Sequence, residues 1–354
     1  MRIPLTKPCP DVQRFVDVLL GRRAIEGPPP LVEYLIDDAV SRPILELMGR
    51  RWVPSSAGST YWDNFVEFWY RMGYDFVRYE VSLPFPKPAR DGQDPTAVQG
   101  HRSWIETQVG PVSSWEAFER YPWPEVEDSL FRPFEEIEAR LPEGMGLVAC
   151  HGGGIFEHVR DLMGYETLCY ALYDDPPLVA AVCEAVGSRI VQFYRTLLQF
   201  DSLVAVFQGD DMGHRTGTLV NPDHLRQYFL PWHRQFARLA HERGVPYFLH
   251  SCGNVLPVME DLIEGVGIDG KHSFEDAIFP ASDFHMRYHQ RIATLGGVDL
   301  NILSKGDPQE VRKAARSLIE RCAPLGRFAI GSGNSIPSYV PPANYLAMID
   351  EALR

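Results

Sequence analysis

Short apolar, β-branched runs recur along this chain, each followed by a longer stretch whose apolar residues return at helical spacing. The runs lie at residues 31–36, 75–81, 146–150, 203–208, 246–250, 268–272, 292–296 and 328–331, which predicts eight strands. Helical patterns are clearest over 223–243, 256–266, 308–322 and 343–353. Pro308 and Pro342 stand where helices begin, and Asp307 is placed to cap the helix after it. Eight strands alternating with helices predict an α/β chain folded as a (β/α)8 TIM barrel. An open doubly wound sheet would carry a glycine-rich first turn, and none follows residues 31–36. With 354 residues and 45% hydrophobic content there is enough apolar surface for one such barrel, so residues 1–354 are expected to form a single domain.

Two regions fit the repeat poorly. Residues 39–74 are rich in aromatics (Trp52, Tyr61, Trp62, Phe65, Phe68, Trp69, Tyr70), and residues 83–124 are rich in proline. Both are expected as rim or lid insertions, the second as a small antiparallel excursion. Trp62 is a candidate substrate contact, although aromatics at helical spacing are more often core.

A net charge of -13 leaves no basic face for a phosphate backbone, so no nucleic-acid partner is expected. Residues 1–10 lack the charged-then-apolar pattern of a targeting segment, and no run approaches the roughly 20 apolar residues of a membrane span. A cytoplasmic protein without a membrane partner is expected. Its six cysteines, Cys9, Cys150, Cys169, Cys183, Cys252 and Cys322, show no framework spacing and read as reduced thiols.

In a barrel of this kind the chemistry gathers where the strands end at their C-termini. Those ends supply Glu80, His151 before Gly152 to Gly154, Asp210, Asp211, His250, Cys252, His272, Glu275, Asp299, Ser332 and Asn334. Acids, imidazoles and a thiol gathered at one mouth point to an enzyme acting on a small molecule. His250 and Cys252 stand two apart after an apolar run, so on a strand both project to one side, and imidazole and thiolate are the ligands zinc prefers. The plain alternative is a buried cysteine behaving as a small hydrophobe. Strand alternation lets only one of Asp210 and Asp211 face inward; the other caps a turn. His151 before three glycines resembles an oxyanion loop, but no Gly-x-Ser-x-Gly turn accompanies it. His214, His224, His233, His241, His285 and His289 are expected at the surface.

Taken together, Gly209-Asp210-Asp211-Met212-Gly213, Asn221-Pro222-Asp223, Leu230-Pro231, His250-Ser251-Cys252-Gly253-Asn254, Leu295-Gly296-Gly297-Val298-Asp299, Gly331-Ser332-Gly333-Asn334 and Val340-Pro341-Pro342-Ala343-Asn344 resemble the uroporphyrinogen decarboxylase superfamily. The resemblance runs from Phe15 to Leu353 and implies a (β/α)8 barrel. It also implies one of two chemistries. Decarboxylases of the superfamily are metal-free and hold a tetrapyrrole with an Arg-rich segment near the amino terminus. Corrinoid-dependent methyltransferases use a zinc held by His-x-Cys and a later Cys.

The segment from Pro30 to Asp38 is acidic where the decarboxylases are basic, and Glu33, Glu80, Asp210 and Asp211 are expected to repel a polycarboxylate. His250 and Cys252 match the first two zinc ligands of the methyltransferases, but Asn334 stands where the later Cys is expected, and an amide is a poor zinc ligand. Either a neighbouring strand end supplies the third ligand, from His272, Glu275, Asp210 or Asp211, or the site has lost its metal. On this reading Asp299 and one of Asp210 or Asp211 orient substrate or move a proton, while Glu80, His151, Asn334 and Trp62 line it. The implied cofactors are zinc and a corrinoid carried by a partner protein. A metal-free decarboxylase and a non-catalytic binding barrel remain the alternatives.

Overall fold

The computed structural model describes residues 3–87, 89–93, 101–105 and 110–354. Its centre is a seven-stranded sheet. The strands are β1 (Phe76–Val81), β2 (Gly146–His151), β3 (Leu203–Gly209), β4 (Tyr247–His250), β5 (Gly270–His272), β6 (Ala293–Leu295) and β7 (Phe328–Ala329). Each pairs in parallel with the next in sequence. Sequential parallel order with helical crossovers curls the sheet in one direction, unlike an open sheet wound both ways from its middle.

The expected first strand, residues 31–36, is reduced to two parallel bridges, Leu31 to Ile330 and Ile36 to Ile336. Pro28, Pro29 and Pro30 precede it and offer no N–H to a ladder. Backbone bonds still tie it beside β7: Val32 N donates to Ile330 O at 2.9 Å, and Ile330 N to Pro30 O at 2.9 Å. No ladder joins it to β1, so among the described residues the parallel sheet has seven strands rather than eight.

The helices follow the sequence pattern. Pro308–Cys322 begins with a reciprocal cap, in which Asp307 accepts from the amides of Gln309 and Glu310 while Glu310 accepts from the Asp307 amide. The aromatic segment forms two helices, Asp38–Leu47 and Ser59–Arg71. Trp62, 9% exposed, packs edge-on against Tyr79 at 5.3 Å between centroids. Tyr79 alternates with Arg78 and Glu80, which point into the barrel, so Trp62 covers the outer face of β1 and does not line the mouth. Within 83–124 the antiparallel pair Ala89–Gln93 with His101–Ile105 is present; residues 88, 94–100 and 106–109 of that expected excursion lie outside the described residues. No helix among the described residues is long and apolar enough to cross a membrane.

One buried acid joins the two ends of the chain. Glu33 accepts from Ser332 N at 2.8 Å and from Ser332 Oγ at 2.7 Å, fully enclosed. Burial pushes its carboxyl up to about 8. The folded protein therefore holds a proton that the unfolded chain has released between the ordinary carboxyl range and that value, so this group makes stability fall as pH rises through the window, by up to about 1.4 kcal/mol per pH unit. Thermal denaturation of the wild type and Glu33→Gln from pH 5 to 8 is expected to show a shallower decline in the variant; parallel curves would contradict this role.

Candidate metal centre

The mouth is organised by the ends of β3, β4 and β5. Where β3 ends, the two acids part. Asp210 turns outward, accepts from the amides of Phe156 and Glu157 at 3.0 and 2.9 Å, and receives His233 Nε2 at 2.8 Å. It caps the helix Ile155–Met163, whose N-terminal partial charge favours an anion. Gly154 is required there, because a Cβ would lie 2.1 Å from Asp210 Cγ. Asp211 turns inward, and its Oδ1 accepts from Cys252 N at 2.8 Å and lies 3.7 Å from His250 Nε2.

Asp211, His250 and Cys252 each aim one ligand atom into a common space, all within 4.8 Å of one another. Cys252 Sγ lies 3.4 Å from His250 Nε2, near the ~3.5 Å edge of a tetrahedron built from ordinary zinc–sulfur and zinc–nitrogen bonds. The loops carrying these residues touch through glycine: Gly253, at φ +75°, has room for no Cβ against Gly213, whose carbonyl carbon would be 2.3 Å away. Asn254 N bonds His214 O across the same contact at 2.7 Å.

The protonation of His250 follows from its neighbours. His272 Nε2 lies 3.1 Å from the Ser332 carbonyl, which can only accept, so that nitrogen carries a proton. Burial holds both imidazoles neutral, His250 well below the ordinary histidine value and His272 at about 3. A neutral His272 protonated at Nε2 leaves Nδ1 as an acceptor, and His250 Nδ1 stands 2.7 Å from it. His250 therefore donates from Nδ1 and presents a bare Nε2 lone pair to Cys252 and Asp211. His272, expected as a ligand, is not one of the three grouped residues and meets them through its hydrogen bond with His250.

The remaining candidates separate clearly. Asn334 reaches the site, its amide nitrogen 3.2 Å from Cys252 Sγ and 3.3 Å from Ser273 Oγ. It donates to the sulfur rather than ligating. Burial, helped by Asp211, pushes the Cys252 thiol up to about 12. Glu80, a quarter exposed, accepts from Arg78 Nη2 at 2.6 Å and from Tyr34 Oη at 3.2 Å. Glu275 is exposed and belongs to no ligand group among the described residues. His151 is enclosed, accepting from Leu83 N at Nε2 (3.0 Å) and donating from Nδ1 to Gly153 O (3.0 Å), so both ring nitrogens are spent on its own loop. Asp299 accepts from Asn301 N at 2.7 Å and Asp276 N at 2.9 Å, joining two loops. Of the six histidines expected at the surface, His233 and His285 are fully buried, bonded to Asp210 and Thr294 respectively.

Of the four acids expected to repel a polycarboxylate, Glu33 is sealed inside and Asp210 is compensated by the helix terminus and His233. Only Glu80 and Asp211 face the mouth. Two residues of the site escaped the sequence reading. Tyr34 stacks on His250, with centroids 4.1 Å and planes 19° apart, and the Arg78 guanidinium lies 4.0 Å from the same ring's centroid. Arg78 was accessible by alternation, two residues before Glu80 on one strand.

Comparison with known proteins agrees with this architecture. A methyltransferase from Methanosarcina mazei superposes with a TM-score of 0.72 at 15% identity, over 96% of this chain and 97% of that one, and shares the fold. An intracellular xylanase from Thermoanaerobacterium saccharolyticum, also 15% identical, covers 63% of this chain and 82% of its own with a TM-score of 0.36, too slight a likeness to carry weight. No curated protein matches. The family described as uroporphyrinogen decarboxylase (URO-D) matches residues 110–354, and the chain belongs to that family.

Proposed function

We propose that this protein is a zinc-dependent methyltransferase, passing a methyl group between a small methylated or methoxylated substrate and a corrinoid carried by a partner protein. The observation that carries the reading is the bare Nε2 lone pair of His250, forced by His272 and Ser332 to face a thiol and a carboxylate. Nitrogen, sulfur and oxygen donors from three residues leave a fourth position open, as catalytic zinc sites require. Bound there, zinc would lower the pKa of a thiol or polarise an ether oxygen.

The chain's own groups fit that task. Ligation would take the proton from Cys252, whose sulfur then receives hydrogen bonds from Asn334 and, at 3.8 Å, Ser273 Oγ. Glu80 offers an acceptor to a substrate at the mouth. The solved structure that this chain resembles is described as a methyltransferase, which agrees with the reaction class. Decarboxylation of a polycarboxylate fits less well: the buried cation inside the barrel, Arg78, is already paired with Glu80.

Purified protein is expected to carry about one zinc per chain by elemental mass spectrometry, and to lose it in Asp211→Ala, His250→Ala and Cys252→Ala. Metal retained in Asp211→Ala would remove the carboxylate from the ligand set. Absence of metal from the wild type, with coproporphyrinogen formed from uroporphyrinogen, would return the decarboxylase reading. His272→Phe removes no ligand but frees the His250 tautomer, so zinc affinity measured by chelator competition should fall about 10–100-fold. His272→Gln, which keeps an acceptor, should recover part of the loss, and unchanged affinity in both variants would refute the orienting role.

A further inference from the structure

His272 holds the His250 imidazole by a single hydrogen bond at Nδ1. The ring's other hydrogen-bond contact, Cys252 Sγ at 3.4 Å, is made at Nε2, the atom a metal would take, and the terminal torsion of histidine is broad. Something else must fix the plane. The Tyr34 ring lies against that plane, nearly parallel at 4.1 Å, and is itself held on several sides. Phe207 meets it edge-on at 5.1 Å between centroids and 71°, and the Arg78 guanidinium sits 4.0 Å from its centroid.

The hydroxyl of Tyr34 is anchored as well. It donates to Glu80 Oε2, the same oxygen that receives Arg78 Nη2. Gly209, the last residue of β3, makes the room, because a Cβ there would lie 2.1 Å from Tyr34 Oη. Arg78 Nε and Nη1 are buried without a hydrogen-bond partner, a cost that structures bear only where the surroundings fix the group. Ring and guanidinium therefore form a rigid wall on which the imidazole rests.

We infer that Tyr34 is a positioning residue for the metal centre, fixing the plane of His250 so that Nε2 faces Cys252 and Asp211; this rests on the metal reading above. It also ties the ligand to Glu80, so the substrate-facing carboxylate and the metal-facing imidazole share one anchor.

The test is Co2+ titration of the metal-depleted full chain, followed by the thiolate-to-cobalt band and the visible ligand-field bands. Tyr34→Leu is expected to weaken Co2+ binding about 10–100-fold and to change the ligand-field bands. Tyr34→Phe, which keeps the stack, should stay within about twofold of the wild type. Gly209→Ala pushes the tyrosine aside without removing it and should reproduce the altered bands, which decides the matter if Tyr34→Leu does not fold. Folded Tyr34→Leu and Gly209→Ala proteins with wild-type affinity and bands would overturn the inference and leave the metal reading intact. A wild type without a thiolate-to-cobalt band would overturn both.

Discussion

The site depends on one hydrogen bond to an atom that can only accept. The Ser332 carbonyl accepts a hydrogen bond from His272 Nε2, His272 Nδ1 then accepts one from His250 Nδ1, and the Nε2 lone pair of His250 is left facing Cys252 and Asp211. Each link is set by the fold. His250 and His272 are paired residues in the register of β4 and β5, so their side chains share the barrel interior. Ser332 is held by Glu33, and Glu33 sits on the segment that bridges β7. Tautomer, register and the meeting of the chain's two ends are thus one arrangement.

Adjacent residues with the same side chain do opposite work. Asp210 faces a helix terminus and a buried histidine and is spent on structure, whereas Asp211, one residue on, faces the mouth. The triad holds a carboxylate, and Asn334 stands beside it. The Asn334 amide donates to the Cys252 sulfur at 3.2 Å.

Much of this was legible in the residues. Seven of the eight expected strands form, because apolar runs with β-branched residues identify buried parallel strands well. The first is present only as two bridges beside β7, with no ladder to β1. His250 and Cys252 could be paired from their spacing, and alternation required that Asp210 and Asp211 part, although not which would face inward; that was decided by Gly154 bringing a helix terminus onto Asp210. Trp62 was ambiguous because helical aromatic spacing serves a core and a binding wall equally, and it packs on the outside of β1. Tyr34 stayed hidden because its partners, Arg78, Glu80, Phe207 and His250, lie on three other strands, and their convergence is a property of the curled sheet.

The most direct test of the central claim is zinc K-edge X-ray absorption on the zinc-loaded wild-type protein. A first shell with one sulfur at ~2.3 Å and two or three nitrogen or oxygen atoms at ~2.0–2.2 Å is the predicted result. A shell with two sulfurs, or with nitrogen and oxygen alone, would contradict a centre built from Asp211, His250 and Cys252.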